Sequence, residues 1–192
     1  MARIDQRQQI LEAATELFSE AGYTGTTMRD IGKKVGVLPG SLYAHIDSKE
    51  DLLVEIVESG IDDFVKAGES AARESGELPE DRLRSAIEAH IRVVAENKER
   101  TLVVFHQWRF LTGPNRQRII EKRARYERIF SDIFDAGVES GTFDPELDRR
   151  LAILTVLGAL NWSAEWLSAD GRASVVEVGE GVSDSLIGGL KG

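Results

Sequence analysis

The 192-residue chain contains no cysteine, which excludes a disulfide framework, a thiolate metal site and a cysteine nucleophile. No stretch approaches the roughly 18 apolar residues of a membrane span, and residues 1–7 (Met-Ala-Arg-Ile-Asp-Gln-Arg) carry no apolar signal core. A cytoplasmic protein without a membrane partner is therefore expected. Histidine is scarce, with His45, His90 and His106 on three different predicted helices. There is no H-E-x-x-H spacing, no G-x-S-x-G elbow and no phosphate-binding glycine loop. Neither catalysis, a metal site nor a cofactor is expected.

What is abundant is charge, and its sign is uneven. The formal net charge is −9, but residues 1–49 hold six Lys/Arg and six Asp/Glu, so the whole acidic excess lies behind them. A neutral head with local cations can bind phosphates, while an acidic remainder is repelled by them.

Apolar residues recur at helical spacing throughout, with no run of period-two alternation, which predicts an all-α chain of about nine helices. The first spans about Asp5–Ala21, with Ile10, Ala13, Ala14, Leu17 and Phe18 on one face and Gly22 as its stop. Thr27-Met28-Arg29-Asp30 has the pattern of a capping box, and Gly36 closes the short helix it starts. Pro39 suits the first turn of a third helix ending near His45-Ile46, and Ser48-Lys49-Glu50-Asp51 caps a long helix to about Ala72. Turns at 75–79, 112–115, 141–145 and Asp170-Gly171 separate helices over about 79–97, 99–111, 115–139, 146–168 and 173–190. A division into residues 1–50 and 51–192 follows.

Residues 28–46 have the layout of a helix-turn-helix: Ile31 and Val35 give the first helix its core face, Gly36 permits the turn, and Val37 and Leu42 pack the second helix back. Gly40 and Ser41 then face outward, small enough for close approach to base edges in a major groove. Spacing alone also fits an ordinary three-helix packing unit.

Ile10 to Phe18, Gly22-Tyr23, Thr26 to Ile31, Val35-Gly36-Val37, Gly40 to Tyr43, His45 and Ser48 to Leu53 together resemble the signature of the TetR/AcrR family of bacterial regulators. The resemblance implies a recognition helix at 38–45 in the major groove of a pseudo-palindromic operator, with Thr27, Tyr43, His45 and Lys49 on phosphates. Arg29 and Pro39 belong to the same implied surface. Leu38 and Ala44 depart from the pattern, since the family often has Ser or Thr at the first and a bulkier or polar residue at the second. Leu38 is instead suited to a thymine methyl group.

The resemblance further implies a homodimer through the last two helices. Residues 151–160 are apolar nearly all round, as a helix covered on two sides would be. Leu151, Thr155 and Gly158, with Val175, Val178, Val182, Leu186 and Gly189 of the last helix, are the expected contacts. A small-molecule effector is implied as well, with Phe105, Trp108, Tyr126, Phe130, Asn161, Trp162 and Trp166 as walls and Arg109 and Arg123 as cations for an anionic end. Phe105 to Arg109 and Asn161 to Trp166 look like the body of family members that regulate lipid and steroid breakdown and respond to acyl-coenzyme A thioesters. The alternatives are a multidrug-responsive regulator of efflux and a protein-interaction module with a similar head.

Overall fold

The computed structural model describes residues 6–168 and 171–191, and these are helical with no strand. Among them are ten α-helices: α1 (Gln6–Glu20), α2 (Gly22–Gly25), α3 (Met28–Val35), α4 (Pro39–Leu42), α5 (Lys49–Glu74), α6 (Pro79–Glu96), α7 (Lys98–Leu102), α8 (Gly113–Glu139), α9 (Arg149–Trp166) and α10 (Val175–Gly188). The helix start at Asp5 and the turn residue Asp170 lie outside the described residues.

Three boundaries differ from the periodicity reading. Gly22–Gly25 closes a single helical turn, too short to show a period. The predicted 99–111 helix is broken after α7 into a π-helical turn, Val103–Gln107, and a 3-10 turn, Trp108–Phe110. The predicted recognition helix is α-helical only over Pro39–Leu42, after which Ala44 and His45 donate to the carbonyls of Ser41 and Leu42, three residues back. A glycine inside so short a helix leaves little to sustain α geometry.

By compactness the chain forms two units: one holds residues 1–60 and 99–121, the other 61–98 and 122–192. In the first, α1 buries Ile10, Ala13, Ala14 and Phe18, the 3.6-residue stripe read from sequence. Ile31, Leu42, Ile46, Leu52 and Leu53 complete that core. Gly36 at φ 80° ends α3, a left-handed position where a side chain would be strained. Val103, Val104, Leu111 and Ile119 are buried in the same unit, and Gly60 lies so close to Val104 that a Cβ there would overlap it.

In the second unit α10 packs along α6, where Gly179 sits against Glu88. A capping box starts α10: Ser174 N–H donates to Glu177 Oε2 at 2.7 Å, and Glu177 N–H donates to Ser174 Oγ at 3.2 Å. The interior holds Leu83, Ala86, Ile87, Ile91, Phe130, Ile133, Phe134 and Phe143, with Phe143 stacked on Phe134. Exposed ion pairs, Lys122 with Asp62, Arg125 with Glu69 and Arg84 with Asp184, dress the surface. Each such pair contributes about 0–1 kcal/mol, so apolar burial carries the stability.

One polar chain crosses this interior. His90 is buried, its Nδ1 lies 2.7 Å from the Tyr126 hydroxyl, and its Nε2 lies 3.1 Å from the Leu160 carbonyl. A carbonyl only accepts, so Nε2–H donates to Leu160 and Nδ1 accepts from Tyr126, which fixes the neutral tautomer. Burial pushes the His90 pKa down from 6.5 to about 3 and pushes that of Tyr126 up. The folded state thus excludes a proton that the unfolded chain takes up below pH 6.5. Stability from this group is present above 6.5 and falls as pH drops toward 3, by up to about tenfold in the folding constant per pH unit. Urea titrations between pH 7 and 4 are expected to show a shallower loss for the double variant His90→Phe/Tyr126→Phe, which removes both partners together. Equal pH slopes would contradict this role for His90.

Candidate nucleic-acid interface

The interface candidate is built from α3, the turn after it, α4 and the start of α5. Thr27 caps α3: its Oγ1 accepts from Asp30 N–H at 3.2 Å, and Asp30 Oδ2 accepts from Thr27 N–H at 2.9 Å. The Thr27 hydroxyl, which donates to Asp30 Oδ2 at 2.5 Å, and then the Thr27 N–H hold the Asp30 carboxyl below its ordinary pKa. Thr27 remains exposed beside Arg29 while performing this structural task. The other face of α3 is anchored by the fully buried Ile31.

Beyond Gly36 the chain presents a continuous outward surface. Leu38, Gly40, Ser41, Tyr43, Ala44 and His45 are all exposed, while Leu42 and Ile46 are buried and lock the segment to the core. The structure thus leaves Leu38, Gly40, Ser41, Tyr43 and His45 exposed along one segment, with Pro39 as the first helical residue. Nothing within 4 Å would meet a Cβ at Gly40, so backbone approach to a partner is open there.

Lys49 has a second occupation that the sequence did not show. Its ammonium donates to the Tyr23 carbonyl at 2.8 Å and to the Thr26 carbonyl at 2.7 Å, and lies 4.2 Å from the centre of the Tyr23 ring. With two of its three protons engaged, one is left for a phosphate. From the other side the Tyr23 N–H donates to Gln107 Oε1 at 2.9 Å, Phe18 meets the Tyr23 ring edge-on and Phe110 stacks on it. Burial, then the Glu50 and Asp51 carboxylates, raise the Tyr23 pKa. Glu50 in turn accepts from Thr112 N–H and Asn115 Nδ2, both at 3.2 Å.

Gln107 is committed to the backbone, since its side-chain oxygen accepts from Tyr23 N–H. No local pattern pointed to Tyr23 as its partner, because the two are 84 residues apart. His90 had a fainter signal, since it occupies an apolar position in the α6 stripe of Leu83, Ala86, Ile87, Val93 and Val94.

The expected effector residues divide between the units. In the first, Phe105 and Trp108 are partly buried, and the guanidiniums of Arg109 and Arg116 lie 5.6 and 5.4 Å from the centre of the Trp108 ring. In the second, Tyr126 meets Phe130 edge-on and stands near Phe64 and His90, while Arg123 and Asn161 are partly buried. Trp162 and Trp166 do not join that cluster. They sit exposed on the same face of α9 as Leu151, Leu154, Thr155 and Gly158, opposite the buried Ala152, Ile153, Val156 and Leu160. Of the expected dimer contacts, Leu151, Thr155, Gly158 and Gly189 are exposed, and Val175, Val178, Val182 and Leu186 are half-buried. Between α9 and α10 lies a groove of about 310 Å³ lined by Leu151, Thr155, Leu186 and Gly189 among others. The described residues contain no helix long and apolar enough to cross a membrane.

Comparison with known proteins gives a consistent set of matches. A family model described as bacterial regulatory proteins, tetR family, matches residues 10–56, and one described as the tetracyclin repressor-like C-terminal domain matches residues 76–190. The HTH-type transcriptional repressor KstR2 of Mycobacterium tuberculosis is 28% identical over 186 residues, covering 96% of this chain and 92% of that protein. The structure of the TetR family transcriptional regulator PfmR from Thermus thermophilus is 36% identical, with a TM-score of 0.83 over 93% of this chain and 96% of that one. AibR, solved in complex with isovaleryl coenzyme A and operator DNA, is 27% identical, with a TM-score of 0.82 over 97% and 98% of the two chains.

The Lys49 geometry makes a prediction that separates structural from phosphate-binding roles. Two hydrogen bonds from a charged donor hold α2 to the start of α5, so Lys49→Ala is expected to lower the stability of the DNA-free protein by about 2 kcal/mol. Thermal or urea unfolding without DNA reads this. A variant as stable as the parent would contradict this structural role.

Proposed function

Because the chain belongs to the tetR family of bacterial regulatory proteins, we propose that it is a cytoplasmic transcriptional repressor that a small effector releases from a pseudo-palindromic operator. The observation that carries the reading is the outward ridge of α3, α4 and their turn, held on a buried base of Ile31, Leu42 and Ile46. Thr27, Arg29, Tyr43, His45 and Lys49 supply phosphate donors, and Leu38, Pro39, Gly40 and Ser41 meet base edges. Residues 1–50 act as the reader, and the acidic remainder limits non-specific adhesion to DNA.

The partner at the operator is a second copy of the chain. The α9 face of Leu151, Leu154, Thr155, Gly158 and Trp162 is apolar and uncovered in the protomer, with Trp162 64% exposed. Such a surface on a soluble protein marks an interface, and two-fold pairing places two reading helices on two half-sites.

An acyl-coenzyme A thioester is the effector class we favour. The AibR complex contains such a thioester together with operator DNA. The Arg109 and Arg116 guanidiniums, both near the Trp108 ring, supply two cations suited to the phosphates of a coenzyme A end. Release follows if the thioester prefers the conformer that the operator disfavours, and the coupling is then reciprocal.

Gel shifts on DNA flanking the protein's own gene test the proposal. Expected is a sequence-selective complex that weakens as salt rises and dissociates on adding an acyl-coenzyme A, but not the matching free acid. Dissociation by cationic drugs alone would replace the thioester by a multidrug effector and leave the repressor in place. The absence of any selective complex would overturn the repressor reading.

A further inference from the structure

We propose that Leu38 reads a thymine methyl group in each operator half-site, an inference that rests on the DNA-binding reading above. Leu38 lies in the turn between α3 and α4 and is 78% exposed. Its side chain makes no capping hydrogen bond, although Ser, Thr, Asp or Asn there would stabilise the helix that follows. The position therefore forgoes a local bond and leaves a branched apolar group in water on the ridge that carries Gly40, Ser41 and Tyr43.

The chemistry of the major groove narrows what such a group recognises. Base edges there present hydrogen-bond donors and acceptors, which leucine cannot satisfy, and one apolar feature among the four bases, the thymine C5-methyl. An isobutyl side chain next to a cytosine amino group or a guanine carbonyl would strip water from a polar atom without replacing its hydrogen bond. Leu38 thus favours thymine by attraction and disfavours cytosine and guanine by desolvation, both parts of one specificity. The neighbouring Gly40 adds no bulk that would hold the ridge away from the bases, and Pro39 fixes the backbone φ immediately after Leu38.

Leu78 supplies an internal control. It too precedes a proline, makes no cap hydrogen bond at the start of α6 and is 64% exposed, but it lies in the other compact unit.

The test uses the full-length protein and the preferred DNA recovered from a random pool. Each thymine is replaced singly by uracil, which deletes only the methyl group. For the parent, uracil at one position per half-site is expected to weaken binding by about fourfold, the worth of one methyl-sized group removed from water. Leu38→Ala should bind the thymine site more weakly and lose the distinction between thymine and uracil at that position, while Leu78→Ala should keep it. Circular dichroism confirms that the variants fold. If Leu38→Ala retains the same thymine preference, or if no uracil substitution matters, the inference fails while the repressor reading stands. Recovery of no preferred DNA would overturn both.

Discussion

The head keeps its reading surface because Tyr23 is gripped from every side. The Lys49 ammonium binds its carbonyl, Gln107 takes its amide proton, and Phe18 and Phe110 enclose its ring. The backbone between α1 and α3 is thereby fixed, and with it the angle at which α3 and α4 leave the core. The residues that grip Tyr23 come from α1, from the start of α5 and from the π-helical and 3-10 turns near 103–110. A single amide and a single carbonyl therefore connect distant stretches of sequence to the geometry of the ridge. π-helical turns are costly relative to regular α geometry and concentrate at functional places. Here the turn delivers Gln107 to Tyr23.

The second unit solves a different problem, which is to hold a large apolar helix that is covered on one side only. α9 buries Ala152, Ile153, Val156, Leu160 and Ala164 and leaves Leu151, Leu154 and Trp162 in water. The Leu160 carbonyl on that helix accepts from both His90 and Ser163, so the helix is pinned by directed bonds as well as by packing. A pinned helix presents a defined face, and a defined face is what symmetric pairing needs.

Much of this was legible in the residues. The α1 stripe, the capping box at Thr27, the left-handed Gly36 and the outward Gly40-Ser41 pair all follow from local rules, and the structure realises them. Local rules failed where contacts are distant. Periodicity ran a regular helix through 99–111 because Val103, Val104 and Trp108 fit the spacing, whereas the backbone loosens and tightens there to reach Tyr23. The same spacing grouped Trp162 with Trp166 correctly but could not say which way that face turns. The family resemblance implied a phosphate contact for Lys49, and its two carbonyl partners lie 23 and 26 residues away, beyond any local signal.

The central claim is that two heads act together because the exposed face of α9 joins two copies. Gly158 offers the cleanest way to test it, since nothing within 4 Å would meet a side chain there in the protomer. Gly158→Glu should therefore fold normally while placing a charge in the joint. Footprinting on the preferred DNA, with sedimentation alongside, is the direct measurement. The parent is expected to protect two symmetric half-sites about one or more helical turns apart, and Gly158→Glu to sediment as a monomer and lose both protections at the same concentration. A Gly158→Glu protein that remains a dimer and still protects both half-sites would contradict the claim.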